Sequence, residues 1–305
     1  MAGDKDKKLV LIDGHAILHR AYHALPPLTS RVGQVNAVYG FTSMLLKIIS
    51  ELKPSYIAVC LDRKEKTFRK EMFEAYQAQR PEVDKELISQ VELTKEVISA
   101  FGIKIFSVAG FEADDVIGTL AKKAEGNSEI EEVIIVTGDR DILQLVGGKI
   151  RVYLLVKGIS EASLFGKDEV EAKMGVLPHL IVDYKALVGD ASDNYSGVSG
   201  IGPKTAVKLI CEFGGFEEIY KNLDKLPPKT REILIKGKES GELSFRLAKI
   251  RTDVPLEVSF DDLKKWQVDS QKVFDIFEEF GFKSLAKRVK ELGKTMVTEN
   301  QMQLF

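Results

Sequence analysis

The stretch Gly110-Phe111-Glu112-Ala113-Asp114-Asp115 puts three carboxylates into four positions, between an apolar run (Ile103 to Val108) and a stretch with helical spacing (Val116 to Ala124). Once a helix starts, Glu112 and Asp115 share a face, with Asp114 beside them. A helix N-terminus favours acidic side chains, so an ordinary acidic cap would account for one or two of them. Three together raise one another's pKa unless a cation sits between them. Divalent cations with oxygen ligands meet that need. Further acids recur in the same setting. Asp13 ends the run Lys8 to Ile12, and Asp62 ends the run Ser55 to Leu61. Asp139 and Asp141 follow Val133 to Val136, and Asp190 and Asp193 lie in the loop Gly189-Asp190-Ala191-Ser192-Asp193-Asn194.

The elements that must position these acids alternate. Apolar strand-like runs at 8–12, 55–61, 103–108 and 133–136 are separated by helical stretches to about Ala24, from Asn36 to Leu52, from Asp84 to about Phe101 and from Val116 to Ala124. A run from Ile150 to Val156 reads as an edge strand, or as half of a hairpin with Ser160 to Phe165. This alternation predicts an α/β fold with a mostly parallel, doubly wound sheet and flanking helices. Ligands of such sheets bind beyond the carboxyl ends of the strands, where these acids would converge on one edge. From about residue 167 the pattern turns helical. The segment Gly197-Val198-Ser199-Gly200-Ile201-Gly202-Pro203-Lys204-Thr205-Ala206 has the form of a helix-hairpin-helix, whose amides from Ile201 to Lys204 would approach an anion. Such a hairpin holds a DNA backbone phosphate without reading bases.

Length and composition set the bounds. The chain has 305 residues, 44% hydrophobic and 30% charged, with a formal net charge of −2. That balance predicts a globular protein of roughly two domains and does not advertise a nucleic-acid binder. No apolar run approaches the ~20 residues of a bilayer span. Met1 to Lys8 lacks the apolar core of a signal or transit peptide, so the expected location is the cytoplasm or nucleoid, with no membrane partner. Cys60 and Cys211 are expected as buried free thiols. His15, His19 and His23 recur every four residues on one helix face; without further ligands at useful spacing, packing and hydrogen bonding are expected there rather than zinc.

Taken in order, these segments resemble one family: the 5′-nuclease (flap endonuclease) domain at the amino end of bacterial DNA polymerase I. The pieces are Ile12-Asp13-Gly14, Arg20-Ala21-Tyr22-His23-Ala24, Thr67-Phe68-Arg69, Glu112-Ala113-Asp114-Asp115, Thr137-Gly138-Asp139-Arg140-Asp141, the loop at 189–194 and the hairpin from Gly197, spanning about residues 8–290. Nothing in the chain resembles polymerase or proofreading domains, which leaves a stand-alone nuclease or the amino-terminal part of a polymerase. The resemblance implies a PIN-like (Rossmann-like) core over 1–166 with an arch at about 63–95. It also implies a helical DNA-binding part over 167–292 with the helix-hairpin-helix at 197–213, and 293–305 is expected as a flexible tail.

The resemblance further implies two Mg²⁺ ions, with Mn²⁺ able to substitute, and a monovalent cation at the helix-hairpin-helix. Asp13, Asp62, Glu112 and Asp114 would hold the first metal, and Asp139, Asp141, Asp190 and Asp193 the second, with Asp115 beside both as a catalytic carboxylate. Arg20, Arg69, Lys70, Tyr76, Arg80, Gly200, Gly202, Lys204 and Thr205 would contact DNA carrying 5′ flaps, nicks or 5′ ends. Phe68, Phe73 and Tyr76 in the arch offer ring faces for unpaired bases. The expected product is a 5′-phosphate end, and the expected state a monomer. One departure stands out. Relatives usually read Tyr-Lys-x-x-Arg in the arch, whereas this chain reads Tyr76-Gln77-Ala78-Gln79-Arg80 and so lacks that positive charge, unless Lys66 or Lys70 replaces it. A branched-DNA-binding protein with impaired catalysis is therefore the alternative. Finally, Gln301-Met302-Gln303-Leu304-Phe305 resembles the peptide by which bacterial replication proteins dock on the sliding clamp, with Gln301, Leu304 and Phe305 as anchors.

Overall fold

The structure, a computed structural model, describes residues 7–80, 82, 84–157 and 161–302. β1 (Lys8–Asp13) leads into α1 (Gly14–Ala24), whose first turn is capped by the Asp13 side chain on the Ala16 amide. A two-residue hairpin, β2 (Thr29–Ser30) and β3 (Gly33–Gln34), precedes α2 (Asn36–Leu52). Next come β4 (Tyr56–Cys60), the short α3 (Phe68–Met72), α4 (Lys85–Ala100), β5 (Lys104–Phe106), α5 (Ala113–Glu125) and β6 (Glu132–Thr137). β7 (Ile150–Lys157) and β8 (Glu161–Phe165) form a hairpin. The helical part runs through α6 (Lys167–Met174), α7 (Ile181–Val188), α8 (Pro203–Phe213), α9 (Phe216–Lys221), α10 (Pro228–Ala248), α11 (Gln271–Glu279) and α12 (Lys283–Met302).

The sheet order is β5-β4-β1-β6-β7-β8, parallel from β5 to β7, with β8 antiparallel at the edge. β7 is thus an inner strand and β8 the edge. Both faces are covered, as parallel pairing requires. Leu9, Leu11, Ala58, Val133 and Ile135 face α5 and the helical part, whereas Val10, Ile12, Ile57, Val59, Ile134 and Val136 face α1, α2 and α4. The chain lays β4 and β5 on one side of β1 before crossing to β6, so the order reverses between β1 and β6. That switch point is where doubly wound sheets open a crevice.

Four expectations need correction. Residues 293–302 do not form a loose tail: α12 runs through Gly293 to Met302, because Leu285, Val289, Leu292 and Met296 lie on one helical stripe against the core around Phe41 and Phe277. Gln303, Leu304 and Phe305 lie outside the described residues, as does the side chain of Gln301. The helical region is not one block, since α11 returns to pack on α4, and α12 on α2, across the sheet from the hairpin. The arch does not reach 95. Leu87, Gln90 and Thr94 of α4 are buried, which leaves residues 63–80 beside the cleft. Cys60 is buried, but Cys211 is exposed.

Candidate metal centre and nucleic-acid cleft

Asp13, Asp62, Asp139 and Asp141 come from the ends of parallel strands or the turns after them, Glu112 and Asp114 from the start of α5, and Asp190 and Asp193 from the loop after α7. A cleft of about 970 Å³ at that edge is lined by Asp13, Asp62, Glu112, Asp114, Asp139, Asp141 and Asp193, together with Arg20, Lys66 and Lys70. Asp13 is 5% exposed; its oxygens accept from the Ala16 amide at 3.0 Å and the Thr137 hydroxyl at 2.7 Å. Burial raises its pKa to about 7 against those two bonds, helped by Asp62 and Asp139. Asp62 accepts from the Ala113 amide at 2.7 Å, and its own amide donates to His15 Nδ1 at 3.0 Å. Burial holds the His15 pKa down, so a neutral imidazole braces this turn.

Glu112 is the N-cap of α5. It accepts from Arg69 Nη1 at 3.0 Å and from the hydroxyls of Thr67 and Tyr76 at 3.3 Å. Burial raises its pKa to about 7, with Arg69 pulling the other way. Asp114 is pushed well above the carboxylate range by burial, and further by Asp139, Asp13, Asp62 and Glu112. Such crowding disfavours ionisation until a cation arrives. Asp141 accepts from Lys185 Nζ, and burial raises it to about 6 despite that lysine. Its amide donates to Asp139 at 2.8 Å. Asp190 lies outside the cleft lining but joins the second group: Asp141, Asp190 and Asp193 each place an oxygen within 4.8 Å of the others. Burial works to raise the Asp190 pKa, but Lys185 and Ser192 outweigh it and hold it low.

The structure does not bring Asp115 into this set. Asp115 is fully buried and takes the Arg69 fork at 2.7 and 2.9 Å, the Arg251 amide at 2.8 Å and the Glu112 amide at 3.1 Å. Its acceptor capacity is spent on holding α3, α5 and the chain after α10 together. Arg69, expected as a DNA contact, is committed inside the protein: it is 2% exposed and also donates to the carbonyls of Leu247 and Lys249. Burial alone would weaken its charge, and Asp115 and Glu112 more than offset that.

The aromatic residues are also committed elsewhere. Tyr76 is 3% exposed and donates to Asp193 at 3.0 Å, Phe73 packs beside Tyr76 and Tyr195, and Phe68 stacks on Phe111 beneath Arg69 and Arg251. The stacking faces expected in the arch are thus packing faces here. Arg80 donates to Asp193 at 2.6 Å, and Lys70 to the Tyr76 carbonyl at 2.8 Å. Arg20 lies over Gly138, where its guanidinium would come within 3.2 Å of any added Cβ. Gln77 lines the cleft with a left-handed φ of 56°, its amide donating to the Asp193 carbonyl at 3.0 Å.

The acidic loop that precedes the hairpin is pinched shut at its base by Gly189 and Gly197, both with positive φ; a Cβ on either would meet the backbone across the loop at 2.4 Å. Only glycine fits there. Gly200 also has a positive φ, and Gly202, Lys204 and Thr205 are exposed at the start of α8. Of the amides expected to face an anion, Ile201 donates to the Val198 carbonyl and Pro203 has none. Gly202, Lys204 and Thr205 therefore form the exposed rim. Lys185 and Tyr195 were missed in the sequence. The available signal was a lysine inside the largely apolar α7, five residues before Asp190.

Comparisons with known proteins follow the same division of the chain. The family model described as the N-terminal resolvase-like domain of 5′-3′ exonuclease matches residues 8–175, and that described as the C-terminal SAM fold matches residues 176–271. DNA polymerase I of Bacillus caldotenax is 42% identical over 286 residues, covering 93% of this chain and 32% of that protein. DNA polymerase I of Bacillus subtilis is 38% identical over 287 residues, with the same coverage of 93% and 32%. The chain thus spans about a third of the length of the curated relatives it matches. Among solved structures, the bacteriophage T5 D15 flap endonuclease in complex with DNA and metal ions aligns with a TM-score of 0.66 at 21% identity, covering 94% of this chain and 98% of that one. The catalytic core of Rad2 with DNA substrate aligns at 0.58 and 15% identity, covering 94% and 92%.

Proposed function

The chain belongs to the 5′-3′ exonuclease family, and from that premise we propose that it is a divalent-metal-dependent 5′-nuclease acting on flaps, nicks and 5′ ends of DNA. The observation that carries this reading is the meeting of seven carboxylates from five separate turns in one cleft beside a basic arch. The carboxylate oxygens fit hard divalent cations, and of the three histidines that share the cleft lining, His15 is engaged through Nδ1 by the Asp62 amide. Asp13, Asp62, Glu112 and Asp114 would hold one ion, and Asp139, Asp141, Asp190 and Asp193 a second. When bound, the ions supply a water of lowered pKa and neutralise charge on the phosphate and on the leaving 3′ oxygen.

The chain's own groups do the positioning. Thr137 and the Ala16 amide fix the rotamer of Asp13, and the Ala113 amide fixes that of Asp62. Arg63, Lys64 and Lys66 line the arch side, where a strand's phosphates would pass between them and the acids. The α8 start, with Lys204, would anchor the duplex backbone away from the cut. That a protein of the same fold, the T5 flap endonuclease, was solved with DNA and metal ions is in keeping with this reading. Mg²⁺ is the proposed ion, with Mn²⁺ able to replace it, and a monovalent cation is proposed at the hairpin. Clamp docking through Gln301, Leu304 and Phe305 rests on the peptide pattern alone.

Gln77 keeps the alternative reading in play, because it lines the cleft with no positive charge. Cleavage of a 5′-labelled double-flap DNA with Mg²⁺, run beside Asp139→Ala, separates the two. Cutting near the branch that disappears in Asp139→Ala supports the nuclease. Flap binding without cutting, in Mg²⁺ or Mn²⁺, would leave a binding protein.

A further inference from the structure

The second acidic group already carries a cation of the protein's own. Lys185 Nζ donates to Asp190 Oδ2 at 2.5 Å and also to Asp141 Oδ1, with its side chain 10% exposed. Its amine nitrogen thus lies between a carboxylate oxygen of Asp141 and one of Asp190. Asp141, Asp190 and Asp193 are the three acids whose oxygens come within 4.8 Å of one another, so the ammonium stands at the group where a divalent ion would bind. A second observation lies next to it. Tyr195 pairs with Asp190 across the same loop, is 4% exposed, and its hydroxyl is buried with no hydrogen-bond partner. An orphan buried hydroxyl is uncommon, and its oxygen can accept from an ammonium.

We propose that Lys185 is a resident counter-cation of the second acidic group, exchanged for a divalent ion and then received by the Tyr195 hydroxyl. The inference rests on the proposed second cation at these carboxylates and goes beyond it by naming what that ion must displace. In the metal-free chain the ammonium relieves the repulsion that would spread the 189–194 loop from Asp141. When the divalent ion enters, the lysine must leave both carboxylates, so the second affinity is weakened by the cost of that exchange. Tyr195 lowers the cost by giving the displaced ammonium an acceptor inside the protein. The lysine therefore sets the divalent concentration at which the second site fills, whereas the cation at the first group, Arg69 on Glu112, is fixed in place by Asp115 and the Leu247 and Lys249 carbonyls.

The test counts bound Mn²⁺ by electron paramagnetic resonance for wild type, Lys185→Met and Tyr195→Phe, with melting curves taken without metal. The expected result is two sites in wild type, the second about tenfold or more weaker than in Lys185→Met. Metal-free Lys185→Met should melt below wild type and gain more from Mn²⁺. Tyr195→Phe should weaken the second site while Lys185 is present, and should do nothing in the Lys185→Met background. Two sites of unchanged affinity in Lys185→Met would overturn the exchange and leave the two-ion reading standing. A single site in every variant would overturn both. Should Lys185→Met fail to fold even with Mn²⁺, Tyr195→Phe decides, and unchanged second-site affinity there rejects the proposal.

Discussion

At Asp115 both carboxylate oxygens are filled, by the Arg69 fork and by two backbone amides, whereas one position earlier Asp114 stands among four other acids. The neighbours therefore respond oppositely to loss of charge. Asp115→Ala leaves the buried Arg69 guanidinium facing Glu112 alone, and breaking such a pair costs about 3–5 kcal/mol. Its melting temperature should fall whether or not metal is present. Asp114→Asn removes like-charge repulsion, so the metal-free protein should melt at or above wild type while cleavage drops by about 10²-fold or more. Melting in chelator beside a cleavage assay checks both variants.

The acids also fix the pH response. Asp13 and Glu112 have folded pKa values near 7, raised mainly by burial from ordinary values near 4. Between those limits the folded chain binds more protons than the unfolded one. The stabilisation is complete below about pH 4 and is lost as pH rises through about 7, with a slope of up to about 1.4 kcal/mol per pH unit for each group. Urea melts in chelator should show stability falling from pH 5 to 7.5. Added Mg²⁺ should flatten that fall, because it favours the ionised carboxylates.

Among the elements, the arch is tied to the second acidic loop rather than lying free. Tyr76, Gln77 and Arg80 all bond to Asp193, and Asn194 Nδ2 donates to the Ala75 carbonyl at 2.7 Å. A lysine at 77 would enter the cleft from a backbone that already faces it. Gln77→Lys should therefore raise the single-turnover cleavage rate, by about tenfold if the added charge contributes ~1.4 kcal/mol to the transition state. An unchanged rate would mean that Lys66 or another arch cation already fills that role. The strands and the acids Asp13, Asp62, Asp139 and Asp141 were legible in the sequence because buried parallel strands read as apolar runs and these acids follow them closely. α10, rich in lysine and glutamate, and the two-residue strands β2 and β3 carried too little periodicity to be seen. The partners of Asp115, Arg69 and Lys185 were not legible, since pairing between residues 46 or 44 positions apart is decided by tertiary packing.

For the whole molecule, one sheet serves two cores. The hairpin side packs with α5, while α11 and α12 close the opposite face around Phe277 and Val289. Because α12 completes a core face rather than trailing from it, Leu285→Ala should cost about 2–5 kcal/mol, read by urea unfolding, despite lying far from the acids. The hairpin rim at Gly202, Lys204 and Thr205 lies outside the cleft lining. Lys204→Ala should weaken binding to branched and plain duplex DNA alike and reduce the salt slope by about one ion, without changing which bond is cut.

Joining the two acidic groups into one centre is the claim on which the rest depends. It is tested most directly by the single-turnover rate of double-flap cleavage as Mg²⁺ is raised from scarcity with bound DNA held constant. Two ions acting together predict a rate that climbs with about the square of Mg²⁺ concentration before it saturates. That dependence should become first order when Asp139→Asn cripples the second group. A first-order rise in wild type, unchanged in Asp139→Asn, would contradict the account.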